Sequence, residues 1–270
     1  MDVITLDGPS KTGKTHLGSH MRTELAAWVD GLIRFDSIGN FFRRMTAVII
    51  EEVGPNPDET EMLAQLHKVI VSEVAFDNDR NWPDLNSAEV NNLVSTVGPH
   101  AQATKETWAD RASSIARSIG TDLWIVDGRN PSRTLGPELK KPDMRLVLDL
   151  FVHTDVGVAA ERSKTDAEQL IRRRDQDMAE PNPLLVYPVT SVPYEPIMVG
   201  PSDKQFVPAL TEEAKVIADT WHAGTPLPTP VFLDTTTLGD TDPDLGLERF
   251  LTAGTDLARA ALQWYNDRDV

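Results

Sequence analysis

The chain has 270 residues, 40% of them hydrophobic, no cysteine and a formal net charge of -16. That is enough apolar material for one large α/β domain or two small ones, while the acidity excludes a broad basic surface for gripping a phosphate backbone. Lack of cysteine excludes disulfides, a thiolate nucleophile and a cysteine-ligated zinc; no apolar run approaches the ~18 residues of a membrane span, and MDVITLDG lacks the basic and apolar blocks of a secretory signal, so a cytoplasmic protein with no membrane partner is expected.

Residues 2–6 form a short β-rich run that ends at a Gly-rich turn, and Thr15 to Trp28 then carries helical spacing through Leu17, Met21, Leu25 and Trp28. Leu32 to Phe35 reads as a second strand. After DSIGN, a helix is predicted from about Asn40 to Glu52, with Phe41, Met45, Val48 and Ile49 on one face and Gly54 and Pro55 ending it. Further helices are predicted at Pro57–Phe76, where Leu63, Leu66, Val69 and Ile70 repeat, and at Thr104–Ile119. DLWIVDG from Asp122 is a continuous apolar run of the kind a parallel strand buried on both faces requires. Arg145–Val152 is another, followed by a helix from near Asp155; Val231–Thr236 is a last strand and Leu245–Tyr265 a terminal helix with Leu251, Leu257, Ala261 and Trp264. Strands alternating with helices imply a parallel sheet. Leu185–Pro230 breaks the rhythm: it is dense in proline, with one helical stretch at Thr211–Trp221, and reads as an insertion anchored by Tyr187, Tyr194, Met198 and Phe206.

GPSKTGKT, from Gly8 to Thr15, matches G-x-x-x-x-G-K-[ST] at each fixed position, after a predicted strand and before a predicted helix. Such a P-loop lets backbone N–H groups of Gly8, Pro9 excepted, Ser10, Lys11, Thr12 and Gly13 curl toward a phosphate at a helix N-terminus. Lys14 then supplies positive charge to the β- and γ-phosphates, and the Thr15 hydroxyl is placed for Mg²⁺. The donor implied is a nucleoside triphosphate, ATP with Mg²⁺. There is no N-K-x-D guanine motif, and WIVDGR does not end in the adjacent acids usual in a motor ATPase. Arginines that could neutralise an acceptor phosphate do occur, as Arg43, Arg129 and Arg172–Arg174.

The order ITLDGPSKTGKT, FDSIGNFFRR, EVNNLVSTVGP, WIVDGRN, IRRRDQD, FLDTTTL resembles the cytidylate kinase family of nucleoside monophosphate kinases over nearly the whole chain outside Leu185–Pro230. The resemblance implies an α/β P-loop kinase fold: a central parallel sheet, matching the five predicted strands, flanked by helices and carrying the proline-rich insertion. It implies one kinase domain over 1–270, with an acceptor-binding helical region at 37–105, a lid at 155–180 and the insertion at 185–230. Carried over by motif, Asp36, Ser37, Arg43, Ser95, Arg129 and Asn130 fall on the acceptor side, and Arg174 with Asp175 matches the lid pair. Asp127 ends the strand beside the P-loop and is the candidate for water-mediated Mg²⁺ contact; its plainer reading is a strand-end acid capping the loop.

Departures from the family pattern cluster at the acceptor base. Phe42 replaces a tyrosine, Asn130 an acid, the neighbourhood of Gln102 lacks the base-reading arginine, and Ala179 or Glu180 stands where another arginine is usual. A pocket built to hydrogen-bond one base discriminates against another, so the expected acceptor is a pyrimidine nucleotide other than, or in addition to, CMP. The shortened lid beside the insertion suggests that the insertion covers part of the site. A kinase acting on the hydroxyl of a modified pyrimidine such as 5-hydroxymethyluracil in DNA is the second reading, with Asp36 or Asp127 as base, and a non-catalytic nucleotide sensor the third. Arg172–Arg174 could instead form a solvated face paired with Asp166, Glu168 and Asp175. His16 and His20 are spaced like metal ligands but lack a third. Trp28, Trp124 and Trp264 are expected in the core, and Asp234, Thr235 and Thr236 as support on the adenine side.

Overall fold

The computed structural model describes residues 1–8, 10–72, 74–77, 80–97, 101–129, 131–154, 156–164, 166–171, 231–234 and 243–266. They form two compact units, one of Met1–Asp36 with the chain from Gly120 onward, the other Ser37–Ile119. The helical unit takes in the region 37–105 expected to bind the acceptor and continues to Ile119.

The first unit is α/β. Its strands are β1 (Asp2–Asp7), β2 (Leu32–Ser37, whose last residue opens the other unit), β3 (Thr121–Asp127), β4 (Arg145–His153) and β5 (Val231–Asp234), in the spatial order β2-β3-β1-β4-β5. Parallel ladders join β3, β1, β4 and β5, and β2 borders β3. β1 and β3 are buried on successive residues and so on both faces, which is why their sequences are continuous apolar runs rather than alternating ones.

One face packs on α1 (Lys14–Glu24) and on the C-terminal helix, which follows the described segment 166–171 and β5 and spans Pro243–Asn266. Ile4, Leu6, Leu123, Ile125, Leu148 and Leu150 meet Leu17, Met21, Phe250, Leu257 and Leu262 there. The two helices approach closely at Gly254, where a Cβ would lie 2.6 Å from a Leu17 methyl. The predicted first helix is cut short: a 3-10 turn at Leu25–Ala27 tightens the chain, rotates Trp28 off the buried face and leaves it 59% exposed under the Arg259 guanidinium at 5.4 Å. Trp28 is therefore not a core residue, whereas Trp124 is fully buried.

The second unit comprises α2 (Ile38–Val53), α3 (Glu59–Val71), α4 (Ala88–Val97) and α5 (Ala101–Ser118). α2 starts where the Ser37 hydroxyl accepts from Asn40 N at 3.3 Å, and ends at Gly54 with φ 88°. Asp58 and Glu61 form a reciprocal capping box that starts α3 two residues after the predicted point. Phe41 is its centre, with ring centroids 4.8 Å from Phe76 and 6.4 Å from Trp108, so α5 belongs to this core. α4 has no counterpart among the predicted elements. On α3 the buried set is Met62, Leu66 and Val69, with Leu63 only half-buried.

No helix among the described residues is long and apolar enough to cross a membrane. The contrast between two first-helix side chains is measurable: Leu17→Ala should destabilise by about 2–5 kcal/mol in urea unfolding, and Trp28→Ala by less than about 1 kcal/mol.

Candidate functional site

β1 stops at Asp7 and the chain turns through Gly8 at φ 134°, Lys11 at φ 64° and Gly13 at φ 88° before α1 begins at Lys14. Two of these positions need glycine for independent reasons. A Cβ on Gly8 would lie 2.1 Å from the Val152 carbonyl oxygen, and one on Gly13 would lie 3.0 Å from the Phe250 ring. Positive φ adds strain for any other residue at both. Within the loop, Lys14 Nζ donates to the Gly8 carbonyl at 2.7 Å and to Thr12 Oγ1 at 3.4 Å. Thr12 is buried and Lys11 exposed; Pro9 lies outside the described residues.

The end of β3 comes alongside. Leu6 is in register with Asp127, and Gly128 N donates to the Leu6 carbonyl at 3.0 Å, which carries the β1–β3 pairing one residue past the strand. Asp127 is buried and its Oδ2 accepts from Thr15 Oγ1 at 2.5 Å. The loop's hydroxyl and the neighbouring strand's carboxylate, both expected at the metal, are thus brought together. Arg129 follows at an exposed position, and Pro131–Thr134 form a short helix, α6. Asn130 lies outside the described residues.

Asp36 has a different environment from the one expected of an acceptor-binding residue. It is buried, its Oδ1 accepts from Arg34 Nη2 at 2.9 Å, and its Oδ2 accepts from Arg34 Nε and from the indole Nε1 of Trp124 at 2.8 Å. The network solves a problem of burial: a fully enclosed indole N–H needs an acceptor, and a carboxylate needs a cation. Asp36 therefore ties β2 to β3. In the helical unit Ser37 acts as the α2 cap described above, and Arg43, half-buried, donates from Nη1 to Asn40 Oδ1 at 3.3 Å. Phe42 packs edge-on against Phe41 with centroids 5.7 Å apart. Ser95 lies on α4, with its side chain outside the described residues.

Of the regions expected as lid and insertion, only part of the first lies within the described residues. Val156–Ser163 form α7, and Asp166 Oδ1 caps residues 167–171 by accepting from Gln169 N at 2.8 Å. Arg172, Arg173, Arg174 with Asp175, Ala179 and Glu180, the Leu185–Pro230 insertion, Thr235 and Thr236 lie outside the described residues, as do the side chains of Gln102, Asp234 and Trp264. Among the described residues no group of three or more His, Asp or Glu side chains could hold a metal alone. A hard cation that keeps its waters and takes phosphate oxygens needs fewer: Thr15 and Asp127 fit Mg²⁺ in that role.

Sequence reasoning missed two residues, Asp7 and Arg34. Asp7 Oδ1 accepts from Gly8 N at 2.6 Å, and its signal was an acid closing the apolar run immediately before the glycine motif. Arg34 alternates with Asp36 on one face of a short strand, a spacing that puts the two side chains side by side. Trp124→Phe, which deletes the N–H donor to Asp36 together with part of a fully buried ring, should lower stability by at least about 1–3 kcal/mol in urea unfolding; an unchanged midpoint would show that the Asp36 network is not needed to hold β2 on β3. No protein-family model and no curated protein matches the chain, so what this site does has to be read from its own residues.

Proposed function

We propose that the chain is an ATP-dependent phosphotransferase, a P-loop kinase with its donor site at Gly8–Thr15 and Asp127 and a nucleotide as acceptor. The observation that carries this is the 2.5 Å hydrogen bond from Thr15 Oγ1 to Asp127 Oδ2, beside a loop whose lysine already lies over its backbone. Because the Thr15 proton is directed at Asp127, the hydroxyl's lone pairs remain for a cation. Mg²⁺ bound there would neutralise charge on the β- and γ-phosphates. Lys14 exchanges the neutral Gly8 carbonyl for phosphate oxygens, a stronger acceptor. Arg129, exposed at the end of β3, is the candidate clamp for the acceptor phosphate, with Arg43 and the lid arginine Arg174 completing the set by resemblance to cytidylate kinases.

The acceptor oxygen attacks the γ-phosphorus, the bond to the β-phosphate oxygen breaks, and ADP leaves. An acceptor that is already an anionic phosphate needs no general base, whereas a hydroxyl does. Of the two candidate bases, Asp36 accepts three hydrogen bonds from Arg34 and Trp124 and Asp127 accepts one from Thr15, which favours the anionic acceptor over the hydroxyl of a modified base in DNA. By the altered base-site residues, the acceptor is a pyrimidine nucleotide other than, or besides, CMP.

Label transfer from γ-labelled ATP with Mg²⁺ to a panel of nucleoside monophosphates, nucleosides and hydroxymethylated DNA decides among these. A pyrimidine monophosphate should carry the label; label on DNA alone would establish the hydroxyl reading, and label on nothing, with ATP still bound, the sensor. Lys14→Ala should reduce transfer at least tenfold, about 1.4 kcal/mol on the barrier.

A further inference from the structure

Asp7 is a carboxylate, yet only 1% of its surface is exposed at the end of the central strand. Burying a charged group is costly unless hydrogen bonds hold it, and one that Asp7 accepts comes from the loop: Gly8 N donates to Asp7 Oδ1 at 2.6 Å. The carbonyl of the same glycine accepts from Lys14 Nζ at 2.7 Å. One residue, held at φ 134° with no room for a side chain, thus has an anion on its N–H and a cation on its carbonyl.

We infer that Asp7 is a positioning residue of the phosphate cradle: by holding the Gly8 N–H it turns the Gly8 carbonyl toward Lys14 and keeps the ammonium over the loop before nucleotide arrives. This rests on the donor-site reading above. A loop ordered in advance loses less freedom on binding, so the residue acts on affinity for the polyphosphate. A carboxylate does this better than an amide because the bond is charge-assisted, and an alanine cannot do it at all.

The test compares wild type, Asp7→Ala and Asp7→Asn by calorimetric titration with a non-hydrolysable ATP analogue and Mg²⁺, alongside far-ultraviolet circular dichroism and the amide proton resonance of Gly8. Asp7→Ala should bind about tenfold more weakly, and Asp7→Asn should recover to within about threefold of wild type. The Gly8 amide proton, shifted downfield by a short bond to a carboxylate, should move upfield in both. If Asp7→Ala does not fold, Asp7→Asn decides, being the same size: an unmoved Gly8 resonance with wild-type affinity overturns the inference. Equal affinity in folded Asp7→Ala and wild type also overturns it, leaving the donor site intact. No binding by wild type itself overturns both the donor-site reading and the inference built on it.

Discussion

Gly8 runs so close to β4 that the place of its side chain is taken by the carbonyl oxygen of Val152, 2.1 Å from where a Cβ would stand. Much of the site follows from that contact. Without a side chain there, the chain leaving β1 can cross the end of the neighbouring strand at once and turn back into α1 after a few residues. That tight return puts Lys14 over the loop it belongs to and Thr15 within reach of the next strand's last acid. A parallel sheet makes the arrangement possible, because β1, β3 and β4 all end on one edge. Open α/β sheets hold ligands at that edge for the same reason.

Three acids near strand ends, Asp7, Asp36 and Asp127, are buried in a chain whose net charge is already -16. Each is met by a different donor: a backbone N–H, a guanidinium with an indole, and a hydroxyl. The donors decide what each acid can do. Asp36, bracketed by Arg34 and Trp124, is spent on joining two strands. Asp127 is met by a hydroxyl that can face a cation with its other lone pairs, and Asp7 is met by the N–H of the glycine whose carbonyl the loop's lysine touches. Similar residue types at similar strand positions thus have different surroundings, and only the partners separate them.

The α/β character, the strand positions and the glycine loop were legible because each rests on local pattern. Continuous apolar runs mark strands buried on both faces, and fixed glycine spacing marks a backbone that must curl. Helix ends were less so: the 3-10 turn at Leu25–Ala27 that exposes Trp28 depends on tertiary packing rather than on apolar spacing. α4 is different: Ser87 caps it, its hydroxyl accepting from Val90 N at 3.3 Å, and Val90, Leu93 and Val97 form its buried face, so its signal is present in the sequence. Asp36 was assigned to the acceptor side since a motif carries a residue's position but not its partner, and that partner, Trp124, is 88 residues away.

The central claim is that Gly8–Thr15 and Asp127 bind a nucleoside triphosphate with a divalent cation. Titrating the full chain calorimetrically with a non-hydrolysable ATP analogue, with Mg²⁺ and with excess chelator, tests it most directly. Saturable binding at one site, at least tenfold tighter with Mg²⁺, is the predicted result. Absence of binding under both conditions, or binding indifferent to Mg²⁺, would contradict it.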